Sequence, residues 1–228
     1  KKNELIFVYL LIFFTFIIHL ITIDFHPTNF EGGYGAYANF FNYDNKILFL
    51  TAYFNTQFNT YIFSGLGSII NDILPFINGY QSIKLLSASS YFFLCFGVLN
   101  ILEFYKYNND KILFILIVLF NSIIWNYGFR SYNDLFAFSL AIYSFSKILK
   151  SPGSSYIYLN SFFLGIAIVI KSYNLILLIP IYLLLFFENK KKFLPLIKYI
   201  LVTILIILPF AVYNLIIYKY LGFLFAPI

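Results

Sequence analysis

An all-α, polytopic bundle of about seven membrane-spanning helices is the fold this sequence predicts, on three observations. Of its 228 residues, 61% are hydrophobic and only 11% charged. A soluble domain of this size is roughly 45–50% apolar and 25% charged. One core of this volume has no room for the excess, so lipid must solvate much of it. The chain also divides into apolar runs of near-spanning length, and its lysines cluster between those runs, as in proteins that mark their cytoplasmic side with positive charge. A net charge of +6 therefore points to a membrane surface, and no nucleic-acid partner is expected. The single cysteine, Cys95, excludes a disulfide scaffold.

The first run, 5–23, is broken only by Thr15, His19 and Thr22 and follows Lys1 and Lys2. A signal peptide shares the positive start, but its apolar stretch is about 7–15 residues and ends at a small-residue cleavage site. Neither holds, so 5–23 reads as a retained first helix. Residues 24–57 form one long polar connection, rich enough in Phe, Tyr and Ile to be a folded extracytoplasmic cap with short juxtamembrane helices. The stretch 58–77 carries Asn59, Ser64, Ser68, Asn71, Asp72 and two glycines. It reads as a re-entrant or interfacial helix over 58–78. Further runs of spanning length follow at 83–104, 112–127, 132–149, 156–170, 175–187 and 196–218.

Charge decides the count. With seven spans, the N-terminal side holds ten Lys/Arg, including Lys106, Lys111, Lys147, Lys150 and Lys190, against four acids. The other side holds five of each. An eighth span at 58–77 would move three of the four basic clusters outward. The bias toward positive charge inside favours seven spans with a cytoplasmic N-terminus. The expected location is a multi-pass protein of the cell membrane, or of the endoplasmic reticulum in a eukaryote. The whole chain, 1–228, reads as a single membrane module. It begins at Lys1 without any methionine and stops just after an apolar span, so it is expected to be part of a longer polypeptide.

On this topology the chemistry gathers on the outer side. The first loop holds Asp24, His26, Glu31 and Asp44; later turns hold Arg130-Ser131-Tyr132-Asn133-Asp134 and Lys171-Ser172-Tyr173-Asn174. Cations there suit a phosphate, and a carboxylate suits a general base acting on a hydroxyl. Each residue also has a plainer use. Lys171 can snorkel from a helix end, Asp134 can pair with Arg130 within one turn, and Asp24 can cap the first span. Glu31-Gly32-Gly33-Tyr34 is the stretch hardest to explain structurally. No His/Cys/Asp cluster has metal-ligand spacing, and no nucleotide loop or Ser-His-Asp arrangement is present, so neither metal nor cofactor is expected.

The order of elements resembles the GT-C superfamily, the membrane glycosyltransferases that include protein O-mannosyltransferases and lipid A aminoarabinose transferases. Phe30-Glu31-Gly32-Gly33-Tyr34 is similar to the family's acidic first-loop motif, with Glu31 at the second acid and Phe30 at the first. Arg130 to Leu135 is similar to its outer turn leading into a span. Leu164 to Lys171, followed by Leu175 to Pro180, is similar to its Gly-containing helix ending in Lys. The resemblance implies a seven-helix module that transfers a sugar from a polyprenyl-phosphate donor to a lipid or protein acceptor at the extracytoplasmic face. It implies Glu31 and Asp24 as catalytic carboxylates, and Tyr34, Arg130, Asp134 and Lys171 as substrate-binding residues. Membrane lipids and other membrane proteins are the remaining expected partners. The alternative is a non-catalytic subunit that keeps this scaffold within a larger membrane complex, consistent with Phe30 and with a chain about half the usual length of such enzymes. A transporter fits less well, because its charges would lie near the bilayer midplane.

Overall fold

The computed structural model describes residues 2–22, 60–107, 110–129, 133–150, 157–188 and 193–218. Every regular element among them is helical: α1 (Lys2–Thr22), α2 (Thr60–Ile73), α3 (Gly79–Phe104), α4 (Lys111–Leu119), α5 (Ser122–Phe129), α6 (Asn133–Lys150), α7 (Ile157–Ile170), a 3-10 turn (Ser172–Leu177), α8 (Leu178–Glu188) and α9 (Phe193–Tyr218). Two stretches are long and apolar enough to cross a membrane: Glu4–Ile21 in α1 and Gly79–Phe104, the whole of α3. Shorter apolar helical stretches are Tyr158–Ile170 and Ile197–Pro209.

Local chemistry explains where the helices depart from the apolar runs. Asn78 closes a reciprocal cap on α3: Gln81 N–H donates to Asn78 Oδ1 at 2.9 Å, and Asn78 N–H donates to Gln81 Oε1 at 2.8 Å. Two otherwise unpaired donors are satisfied at once, so α3 starts four residues before the apolar run at 83. The expected run 112–127 is two helices. Asn121 Oδ1 accepts from the N–H groups of Ile123 and Ile124 at 3.0 and 3.2 Å, starting α5 afresh just after α4 ends. At 14 residues α2 spans about 21 Å, short of a hydrocarbon layer of about 30 Å.

Side-chain pairs set the helix directions. Phe16 meets Phe92 at 4.5 Å, and Lys84 Nζ reaches the Ile21 carbonyl at 3.4 Å, so α1 runs antiparallel to α3. Phe93 meets Phe136, and Asn100 donates to Ser146 at 3.3 Å, so α6 runs parallel to α3. Between them α4 and α5 climb back, from Lys111 beside Glu103 to the Ile124 carbonyl beside the Tyr91 hydroxyl. Thr203 Oγ1 lies 3.4 Å from the Ser161 carbonyl and Gly165 abuts Ile206, which makes α7 and α9 parallel. Thus α1, α3, α4–α5 and α6 alternate in direction along the bundle, and α7 and α9 share one direction. α2 packs on α3 and α7 through Leu66 and Ile70.

Backbones approach most closely at two glycines. A Cβ on Gly97 would lie 3.0 Å from the Tyr143 backbone nitrogen, and one on Gly165 would lie 2.8 Å from Ile206 Cβ. Within the bundle, Thr15, Ser144 and Thr203 return their hydroxyl protons to carbonyls one turn earlier on their own helices, at 2.7–2.9 Å. Such back-bonding lets a polar residue sit in an apolar interior. His19 joins α1 to its neighbours, its ring lying 3.9 Å from Tyr91 and 4.4 Å from Trp125.

Candidate functional site

The two ends of the bundle differ in chemistry. At the end where α3 and α6 finish, Glu103 accepts from Lys111 at 3.0 Å and from Lys150 at 2.5 Å. Lys150 also reaches Asn100 Oδ1 at 3.4 Å. One carboxylate thereby holds the ends of α3, α4 and α6 together.

At the opposite end, α7 finishes beside the start of α6, and Lys171 Nζ lies 3.1 Å from Asp134 Oδ1. Both helix ends favour this pair. Asp134 sits in the first turn of α6, and Lys171 directly follows the last residue of α7, so each charge complements its own helix dipole. The bend at Lys171 is braced from below. Asn174 N–H donates to the Lys171 carbonyl at 3.1 Å, while Asn174 Nδ2 donates at 3.0 Å to the Ala167 carbonyl, which also accepts from the Lys171 N–H at 3.1 Å.

Asn133 and Asn174 are fully buried, and the Oδ1 atom of each has no hydrogen-bond partner among the described residues. An unsatisfied buried acceptor costs about 1–3 kcal/mol. The ion pair is part exposed, with Lys171 at 27% and Asp134 at 30%, so an incoming anion has access to the ammonium.

Of the residues expected at a site, the structure joins Asp134 to Lys171. Glu31, Asp24, Tyr34 and Arg130 lie outside the described residues, as do the cap 24–57 and His26. Asp72 is exposed on α2. Lys84 lies against the Ile21 carbonyl near the end of α1, a cation at a helix C-terminus. Sequence reasoning placed Asn133 and Asn174 in the outer turns but gave them no role; their only signal was an Asn next to Asp134 and one three residues after Lys171. Among the described residues, no three His, Cys, Asp or Glu side chains gather to hold a metal ion. No protein-family model, curated protein or solved structure matches this chain.

Proposed function

We propose that the chain is a multi-pass membrane protein of the GT-C kind, which moves a sugar from a polyprenyl-phosphate donor to a lipid or protein acceptor. Inverted polarity supports the membrane part of this reading. Large apolar side chains point outward along α1 (Phe7, Phe14, Ile21), α4 (Leu113, Ile117), α8 (Ile179, Leu183) and α9 (Leu201, Leu205, Leu208), while Ser139, Ser144, Ser161, Asn160 and Thr203 are buried. In water each exposed Leu, Ile or Phe forgoes about 1.5–3 kcal/mol of burial; in lipid that loss disappears. The alternating passages and the basic end match a seven-span topology with Lys106 and Lys147 cytoplasmic. Single cysteines at Asn108 and Asn189, in a Cys95→Ser background, should resist an impermeant thiol reagent in intact cells. Labelling at both would overturn this topology.

The observation that carries the catalytic part is the Asp134–Lys171 pair at the end away from the lysine clusters. Lys171, with Arg130, would hold the donor phosphate. Glu31, or else Asp24, would take the proton from the acceptor hydroxyl. The freed oxygen attacks the anomeric carbon as its bond to phosphate breaks, and polyprenyl phosphate leaves with both electrons of that bond. Asp134 keeps Lys171 extended and yields it when the phosphate arrives.

Donor binding tests the site. A polyprenyl phosphate should raise the thermal midpoint of the purified chain in detergent. Lys171→Ala should weaken that binding about ten-fold or more, in line with roughly 1.5–3 kcal/mol for a charge-assisted contact. No response in the unaltered protein would favour the non-catalytic subunit, which the presence of Phe30 supports.

A further inference from the structure

We infer that the turn closing α3 at the basic end is a docking point for the phosphodiester of an anionic membrane lipid, with Lys106 as its leading cation and Lys150 as its second. This rests on the membrane reading above and is independent of sugar transfer.

The turn has an unusual backbone. Tyr107 N–H donates to the Leu102 carbonyl at 2.9 Å, and Lys106 N–H donates to the Glu103 carbonyl at 3.1 Å. These two bonds form the helix-ending motif whose left-handed position is normally glycine. Here that position is Lys106, with φ of 62°, and it is the only positive-φ residue other than glycine among the described residues. A Cβ makes that conformation unfavourable, so glycine would satisfy the turn better. A strained residue retained where an easier one fits points to a use for its side chain.

That use is charge. Lys106 has no ion-pair partner among the described residues, and it follows directly on a region that is already over-supplied with cations. On the seven-span reading this side carries ten Lys/Arg against four acids, and Glu103 is shared between Lys111 and Lys150. Lys150 remains 43% exposed. Tyr105 and Tyr107 flank Lys106 and are exposed at 43% and 57%, with the amphipathic character that suits head-group depth. An exposed Lys106 with no ion-pair partner among the described residues, and a part-exposed Lys150 that shares Glu103 with Lys111, framed by tyrosines at the end of an apolar bundle, match a lipid phosphodiester.

The test uses the purified full chain in a neutral detergent, titrated with phosphatidylglycerol, with phosphatidylcholine of the same acyl chains, and with inorganic phosphate. Phosphatidylglycerol should raise the thermal midpoint, and the other two should not. Lys106→Gly should raise the lipid-free midpoint by about 2 °C, because it relieves the turn, yet bind phosphatidylglycerol about five-fold more weakly. A merely structural Lys106 predicts the first change without the second. Undiminished phosphatidylglycerol binding in Lys106→Gly would overturn the proposal, and so would equal stabilisation by phosphatidylcholine or by inorganic phosphate. Failure of the membrane reading itself would show separately, as a chain that stays dispersed once detergent is removed.

Discussion

Gly97→Leu should lower the thermal midpoint of this protein by roughly 10 °C, the largest stability loss expected from one interior substitution. The neighbours of Gly97 are mostly backbone. A Cβ there would meet Tyr143 N at 3.0 Å and Tyr143 Cα at 3.1 Å, with Ile142 Cγ2 at 2.9 Å. Those backbone atoms belong to α6, which packs on α3 at one side and on α7 at the other, so it cannot retreat without opening a second interface. Overpacking costs about 1–3 kcal/mol and occasionally more. Each kcal/mol moves the midpoint of a chain this long by about 2–4 °C. Gly97→Ala should lose about 1–2 kcal/mol, because alanine's better helix propensity, worth about 1 kcal/mol, offsets part of the clash. Gly165→Ala should cost less. Its obstruction is Ile206 on α9, whose opposite face carries the exposed Leu201, Leu205 and Leu208 and leaves room to shift. Thermal unfolding of the three variants in one detergent decides the matter. Equal losses at Gly97 and Gly165 would show that the position of α6 between two helices does not set the cost.

Glu31→Gln should abolish sugar transfer by the proposed enzyme while leaving expression and thermal midpoint unchanged. The amide keeps the size of the carboxylate and removes its capacity to accept a proton. Losing a general base costs about 10²–10⁴-fold in rate. The readout is transfer of labelled sugar from a polyprenyl-phosphate donor in membranes containing each variant. Asp24→Asn is the paired measurement: retained activity in Glu31→Gln with loss in Asp24→Asn would move the base to Asp24. Full activity in both would show that neither carboxylate is the base, whereas no transfer by the unaltered protein would remove the enzyme reading and leave the scaffold reading. Lys171→Ala should act differently, raising the donor concentration required, because its ammonium binds the phosphate and handles no proton.

Helical character was legible in the sequence, because apolar runs bounded by lysines and polar turns have few other solutions. Element boundaries were less so. The cap at Asn78 and the restart at Asn121 each rest on one side chain folding back onto nearby backbone N–H groups, and an Asn in an apolar run does not by itself announce that geometry. The candidate site was legible in its members more than in its pairings. Asp134 reads naturally as a partner for Arg130, which lies outside the described residues; its contact with Lys171, 3.1 Å away in the fold, has no signal in the local sequence.

By itself the sequence determined that the apolar side chains exceed what one interior can hold, and that basic residues separate toward one set of turns. Both follow from composition and order alone, since they need no knowledge of which helices touch. The tertiary structure decided which charges meet. Antiparallel packing of α6 and α7 brings the first turn of one against the last residue of the other, and parallel packing of α3 and α6 brings Glu103 to Lys150. Those partners are separated by 37 and 47 positions in the chain, and only the register and direction of the helices carry that information.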